Sequence, residues 1–414
     1  MGRKVLWFGD AGAHTGFARV THSIGERLVA DYGHDIHVLA INHRGDPFPT
    51  NLKLYRPDLI QGGDIFGLSR IVELLAKVEP DVVVMLHDPH LILQVLFENR
   101  YDTERVLLRY RPILTYLPCD GTNLPPAWPD VLTKVTNVVA MSQWGKEQYP
   151  GSKLVYHGID TDQFWPVSSD HPITVSSGAK LRTRRECKRA FGFDPKGFLV
   201  LRVDKNSGRK DFAATWKALV PVMAKYKDIQ VHFHCSTKND ANGVNLLALY
   251  LRSAKQGVAR ERWFSPDDHT TFDGWPHQDL NALYNAADLF VTTSRGEGFG
   301  LTIAEALACG VPVIAQNVSA IPEVVGPGGI LIEPQRLLTV PSGEDVWLAD
   351  VDAFSAAIER AYQSKGLRRD LGEAGRQHVT QFTWDFAAAR FDEYIEALAS
   401  GTETEDPPNG PAPG

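Results

Sequence analysis

Short, unbroken apolar runs alternate along the chain with longer stretches whose apolar positions recur at helical spacing. In the first part "KVLWFGD", "DIHVLAIN", "DVVVML", "PILTYL", "NVVAM" and "KLVYHGI" read as strands. Among the helices between them are "GFARVTHSIGERLVADYG", "FGLSRIVELLAKVEP" and "LILQVLFENR". Strands without polar alternation, separated by helices, predict a parallel sheet covered on both faces. The rhythm then restarts. "GFLVLRVD", "IQVHFHCS", "LFVTTS", "VPVIAQN" and "GGILIEP" are strands, joined by helices such as "DFAATWKALVPVMAKY", "NLLALYLRSAKQGV" and "LNALYNAAD".

This predicts an α/β protein of two doubly wound units in tandem. Residues 1–165 form the first unit, residues 166–178 an aperiodic linker rich in Ser, Pro and His, and residues 179–383 the second. An amphipathic helix at about 384–400 is expected to pack back across the first unit, and the Pro-, Gly- and acid-rich tail 401–414 to be disordered. Ligands of such sheets bind at the carboxyl ends of the strands, where the strand order reverses. Two facing units would leave a central cleft between those ends.

Composition narrows the classes. Lys and Arg number 43 against 50 Asp and Glu, a formal charge of −7 that offers no general attraction to nucleic acid or anionic membrane. Cys119, Cys187, Cys235 and Cys309 lie far apart, without metal-ligand spacing, and read as reduced, buried thiols of a cytoplasmic protein. The first residues run directly into a strand and glycine loop, unlike a secretory signal, and no apolar run approaches the ~20 residues of a membrane span. The six basic residues of "KLRTRRECKR", Lys180 to Arg189, read as an exposed helix rather than a nucleic-acid or phospholipid contact.

The richest segment is Ser294 to Gly326. Gly296-Glu297-Gly298-Phe299-Gly300 brackets an acid with glycines, and an apolar helix with a second acid, Glu305, follows at once. Glycines permit close backbone approach, and a new helix aims its amides and positive dipole end at the turn, so an anion such as phosphate is favoured there. Two carboxylates beside a phosphate fit hydroxyl groups on either side of it, the layout of a sugar nucleotide. The bland alternative is an ordinary strand-turn-helix with a solvated glutamate.

These residues resemble the retaining glycosyltransferases of the two-Rossmann-domain (GT-B) type, specifically family 4, group 1. The spacing Glu297, seven residues, Glu305 within "EGFGLTIAEALACGVPVIA" carries the likeness most specifically, with "LNALYNAADLFVTTS" and "HGIDTDQFWP" beside it. The resemblance implies a GT-B fold and transfer of a sugar from a nucleoside-diphosphate sugar, with no cofactor and no metal. It implies that Glu297 contacts donor-sugar hydroxyls as a catalytic residue and Glu305 the ribose. Backbone amides around Gly298, Phe299, Gly300 and Leu301 would hold the diphosphate. In "RVDKNSGRKD", Lys205 stands where the family has Arg and Lys210 where it has Lys, with Arg202 and Arg209 nearby. Lysine lacks the planar fork that grips phosphate bidentately, so Arg209 or Arg202 is expected to supply that contact. Trp275, with the loop at Cys235–Thr237, is assigned to the nucleotide base.

The acceptor side departs from the family, many of whose members carry a histidine at the end of a middle strand. Here that strand runs into Pro118-Cys119-Asp120-Gly121, and its neighbour ends in His87, Asp88 and His90. Asp120 and His87 are the candidates to orient or deprotonate an acceptor hydroxyl. The alternative is a turn cap at Asp120 and a satisfied polar residue at His87. Gly12, Thr15 and Gly16 form a loop that in the family approaches donor phosphates or acceptor; a plain tight turn is the alternative. His14 reads equally as a cleft contact or a surface residue. "DTD" at Asp160 to Asp162 lies at the strand-to-linker match, not at a metal position. Two rival readings stand: a sugar-nucleotide epimerase and an inactive homologue that holds a nucleotide sugar or glycan. The acceptor (glycan, lipid, protein or modified base), peripheral membrane attachment and the oligomeric state stay open.

Overall fold

The computed structural model describes residues 2–45, 48–57, 64, 66–97, 112–236, 243–258, 260–265 and 274–402. The chain clusters into two units. Among the described residues, unit 1 holds those up to Gly158, Val340–Glu344 and those from Phe382 onward; unit 2 holds those of Ile159–Thr339 and Asp345–Gln381.

Unit 1 follows the predicted rhythm. It comprises β1 (Lys4–Asp10), α1 (Gly16–Ala30), β2 (Asp35–Ile41), β3 (Lys53–Tyr55), α2 (Leu68–Val78), β4 (Val82–Leu86), α3 (Pro89–Phe97), β5 (Ile113–Leu117), α4 (Ala127–Val135), β6 (Asn137–Ala140), α5 (Gln143–Gln148) and β7 (Lys153–Leu154). The strands form one parallel sheet in the order β3-β2-β1-β4-β5-β6-β7, so the order reverses between β1 and β4. Every residue of β4 and β5 is buried, as a sheet covered on both faces requires. The run "KLVYHGI" pairs only over Lys153–Leu154. Beyond it, a Cβ on Gly158 would lie 2.1 Å from the amide nitrogen of Trp384, so only glycine fits where the chain passes the C-terminal helix.

Unit 2 opens with an antiparallel hairpin, β8 (Ile173–Thr174) and β9 (Lys180–Leu181), followed by α6 (Arg184–Ala190). The sheet elements are β10 (Phe198–Val203), α7 (Phe212–Lys225), β11 (Ile229–His234), α8 (Leu246–Ser253), β12 (Trp263–Phe264), α9 (His277–Ala286), β13 (Leu289–Thr292), α10 (Leu301–Ala308), β14 (Val313–Gln316), α11 (Ile321–Val325) and β15 (Gly329–Ile332). Their order, β12-β11-β10-β13-β14-β15, is that of a dinucleotide-type doubly wound sheet, reversing between β10 and β13. An antiparallel hairpin that the strand rhythm did not predict, β16 (Pro334–Thr339) and β17 (Asp345–Ala349), precedes α12 (Val351–Gln363) and α13 (Lys365–Val379).

The expected linker is corrected. Division falls at Gly158/Ile159, and residues 166–178 belong to unit 2. Side chains of α9 hold the backbone of this segment and of the residue before it: Asn281 accepts from the Trp165 amide at 3.4 Å, Asn285 from Val167 at 2.7 Å and Asp279 from Ser176 at 2.7 Å. An aperiodic sequence docks here because polar side chains of a neighbouring helix satisfy its backbone.

The basic run is part strand and part helix. Thr183 caps α6 by accepting from the Glu186 amide, and Lys188 is buried with Nζ 2.5 Å from Asp288 and 2.6 Å from the Gly197 carbonyl. The chain ends in α14 (Trp384–Ser400), which clusters with unit 1 and packs along α1. Phe391 stacks on Trp7 at 5.8 Å and meets Tyr116 edge-on at 5.0 Å, while Arg3 pairs with Glu396 at 2.9 Å. The tail beyond residue 402 lies outside the described residues. All four cysteines are buried free thiols, and among the described residues no helix is long and apolar enough to cross a membrane.

Candidate functional site

The switch point of unit 2 is where the sequence placed its phosphate site. Val200 and Leu201 of β10 lie beside Leu289 and Phe290 of β13, so the loops after the two strands leave the sheet together. The Arg295 amide donates to the Arg209 carbonyl at 2.9 Å and ties one loop to the other. The loop after β13 is fixed from the end of β14: Gln316 Nε2 donates to the carbonyls of Thr293 (3.2 Å) and Ser294 (2.8 Å). Ser294 Oγ donates to the Gly296 carbonyl at 3.0 Å, and the Glu297 amide donates to Ser319 Oγ at 2.9 Å. Backbone so constrained presents its groups in one arrangement before any ligand arrives.

Gly300 then turns the chain into α10. Its φ of 110° lies in the left-handed region, and a Cβ there would come 3.2 Å from Ile303 Cδ1. Ile303 and Ala304 donate to the Gly300 carbonyl, which leaves the amides of Leu301 and earlier residues outside the helical ladder, at its positive end. Phe299 is buried beneath the turn.

Around this helix start sits a chain of alternating charge. Lys210 Nζ lies 2.5 Å from Glu297 Oε1 and 2.8 Å from Asp204 Oδ1, and Arg209 Nη1 lies 3.3 Å from Glu297 Oε2. Arg209 also donates to the Gly296 carbonyl. Burial alone would push the Glu297 carboxyl up, but Lys210 and Arg209 outweigh it and hold it at about 2. Glu305, in the middle of α10, is almost wholly buried and accepts from Tyr284 of α9 at 2.6 Å.

The predicted residues do not all gather. Arg202 is fully buried: Nη1 donates to Thr215 and Thr293, Nε to Asp204 at 3.2 Å, and Nη2 to the Lys210 carbonyl, with the guanidinium 4.1 Å over the Phe212 ring. Its donors are used within the core, so it supports the site from beneath rather than facing a ligand. Lys205 is exposed on the loop, and Arg209 occupies the place beside Glu297. Trp275 is half-buried, stacked on Phe191 at 5.6 Å and edge-on to His234 at 4.4 Å. Thr237 lies outside the described residues. Sequence reading missed Asp204, Ser319 and Tyr284; only the acidic residue directly after a buried strand was a visible signal.

In unit 1 the equivalent edge carries the acceptor-side candidates. By register His87, one residue past β4, lies level with Asp10, the last residue of β1. His87 Nδ1 accepts from the Asp88 amide at 2.8 Å, and the ring packs against Phe17 at 5.1 Å. Burial lowers its pKa, so the ring is neutral at pH 7 with its proton on Nε2. Asp120 lies three residues beyond Leu117 of β5, beside buried Cys119. Asp10 is buried and organises the first loop, accepting from Thr15 Oγ1 at 2.5 Å, the Gly12 amide at 3.3 Å and Asn42 at 3.1 Å. A Cβ on Gly12 would lie 2.3 Å from His43 backbone, so a close approach of two loops accounts for that glycine; Gly16 is exposed at the start of α1. Among the described residues, the His34, Asp392 and Glu396 group has metal-ligand proximity, and it is already engaged by the Arg3 amide and guanidinium.

Two Rossmann-like units, one with its switch point between β10 and β13, define the GT-B class of fold. Comparison with known proteins agrees. Sucrose-phosphate synthase from Thermosynechococcus elongatus superposes over 97% of this chain and 100% of its own, with a TM-score of 0.70 and 18% identity. HepE from Anabaena, solved with UDP-glucose, covers 96% of this chain and 100% of its own at a TM-score of 0.66 and 16% identity. Residues 202–364 match the family model described as glycosyl transferases group 1. O-antigen chain mannosyltransferase B of Escherichia coli is 39% identical over 122 residues, 28% of each protein. A D-inositol 3-phosphate glycosyltransferase of Segniliparus rotundus is 34% identical over 256 residues, 60% of this chain and 47% of that protein. The chain spans about half or less of the length of the curated relatives it matches.

Proposed function

We propose that this chain is a retaining, metal-independent glycosyltransferase that moves a sugar from a nucleoside-diphosphate sugar to a hydroxyl acceptor. The observation that carries the reading is the ion-paired Lys210, Arg209 and Glu297 at the start of α10, on the switch point of unit 2. The amides of the Gly298–Leu301 turn and the two cations bind the diphosphate. Glu297 exchanges its cations for donor-sugar hydroxyls, and Glu305 takes the ribose. As the sugar C1–O bond breaks, the leaving diphosphate takes the electron pair, and these fixed donors stabilise the growing charge. They supply the positive charge that other transferases draw from a divalent ion.

The acceptor oxygen bonds to C1 and gives up its proton. A neutral His87 with Nδ1 already accepting a hydrogen bond is a donor to the acceptor through Nε2, which leaves Asp120 as the base. The mannosyltransferase and glycosyltransferase names of the relatives, and the UDP-glucose held by HepE, support this reading. The test is a panel of nucleoside-diphosphate hexoses with release of nucleoside diphosphate as readout, with and without candidate acceptors. Release that depends on acceptor, with product of unchanged anomeric configuration and activity surviving chelation, is expected. Interconversion of donor sugars without acceptor would indicate an epimerase, and binding without turnover an inactive homologue.

A further inference from the structure

We infer that Asp204 is a positioning residue that holds Lys210 at the diphosphate site; the inference rests on the donor reading above and deepens it. Asp204 follows the last residue of β10, and its side chain is 3% exposed. Its two oxygens face different cations: Oδ2 the Arg202 Nε at 3.2 Å, and Oδ1 the Lys210 Nζ at 2.8 Å. Arg202 is fixed in turn by Thr215, Thr293 and the Phe212 ring, and it also donates to the main-chain carbonyl of Lys210. One buried pair therefore grips Lys210 at both ends, its backbone through Arg202 and its ammonium through Asp204.

The physical need is specific. A lysine side chain loses much of its rotamer freedom when fixed, so an ammonium aimed at a ligand requires a partner that fixes it beforehand. Glu297 cannot serve through a donor cycle, because the donor reading needs its oxygens for sugar hydroxyls. Asp204 is shielded from that exchange. Of the three ammonium N–H donors, one rests on Asp204 and one on Glu297. When Glu297 turns to the sugar, the Asp204 bond remains and the other donors meet phosphate oxygens. Arg202, Lys210 and Arg209 set three cations against the two carboxylates, so the cluster keeps a net positive charge for the anion.

The test uses Asp204→Asn in the full chain, with two readouts. For the first, Glu297→Ala is introduced into the parent chain and into Asp204→Asn alike, so that Asp204 alone can hold the ammonium. Relaxation of the Lys210 Cε in ¹³C-lysine protein, assigned by its loss in Lys210→Ala, is then expected to show a rigid ammonium in the parent chain and a mobile one in Asp204→Asn. Calorimetry with UDP, GDP and ADP is expected to give about tenfold weaker binding for Asp204→Asn and about a hundredfold for Lys210→Ala, with the double variant no weaker than Lys210→Ala alone. A Lys210 as rigid in Asp204→Asn as in the parent overturns the inference, as does a double variant in which the two losses multiply. Should no nucleoside diphosphate bind the parent chain, the donor reading fails and the relaxation result alone decides the pairing. If Asp204→Asn does not fold, Arg202→Met/Asp204→Asn removes both buried charges together and is read in the same way.

Discussion

Lys210 and Glu297, eighty-seven residues apart, meet at 2.5 Å across the switch point of unit 2, each a group that the ligand is expected to claim. Paired in this way, neither the buried carboxylate nor the ammonium stands alone, which would cost several kcal/mol per ion. Under the proposed function, donor binding is expected to exchange partners instead of stripping bare charges of water.

Replacing Glu297 by Ala is expected to lower transfer by at least about a hundredfold, since hydrogen bonds to a charged group contribute roughly 1.5–3 kcal/mol each. The fold is expected to stay intact, because Lys210 keeps Asp204. Initial rates on a nucleoside-diphosphate hexose, with circular dichroism as the control for folding, check both halves; full activity would refute the sugar contact.

Lys210→Ala is expected to weaken nucleoside-diphosphate binding by ~1.5–3 kcal/mol, the worth of one charge-assisted hydrogen bond. Calorimetry reads this directly. Unchanged affinity would remove Lys210 from the phosphate site.

Arg202→Met separates the buried role from the ligand role. Loss of Arg202 takes one of the two cations from buried Asp204, which keeps only Lys210, and removes the donor to the Lys210 carbonyl, so destabilisation of about 3–5 kcal/mol is expected in urea unfolding. A change below about 0.5 kcal/mol, as for a surface side chain, would contradict the core role.

Acid sensitivity is expected from His157, which lies between Tyr116 at 5.4 Å and Trp384 of α14 at 5.7 Å. Burial lowers its pKa from 6.5 to about 3. The unfolded chain therefore binds a proton below about 6.5 that the native chain refuses, with a contribution of up to ~1.4 kcal/mol per pH unit. That stability is fully present above pH 6.5 and is lost as the pH falls toward 3. His157→Gln should show a shallower fall than the parent between pH 6.5 and 5 in urea titrations; equal slopes would place the acid sensitivity elsewhere.

The doubly wound architecture was legible because its strands are buried on both faces and announce themselves as unbroken apolar runs, as in "DVVVML" and "FLVLRV". The Gly300 turn was legible for a related reason: a left-handed φ excludes most side chains, so backbone geometry is written into residue choice. The true boundary at Gly158 was not, because the segment through Pro166–Gly178 docks by backbone bonds to Asn281, Asn285 and Asp279, a hundred residues or more away. Arg202 and Arg209 look alike as charges in a string. Only the tertiary structure decided that β10 buries the first while its following loop carries the second to Glu297, since burial is a property of what the rest of the chain packs around a residue. Sequence determined which groups of ligand chemistry this protein possesses; long-range packing determined which of them touch.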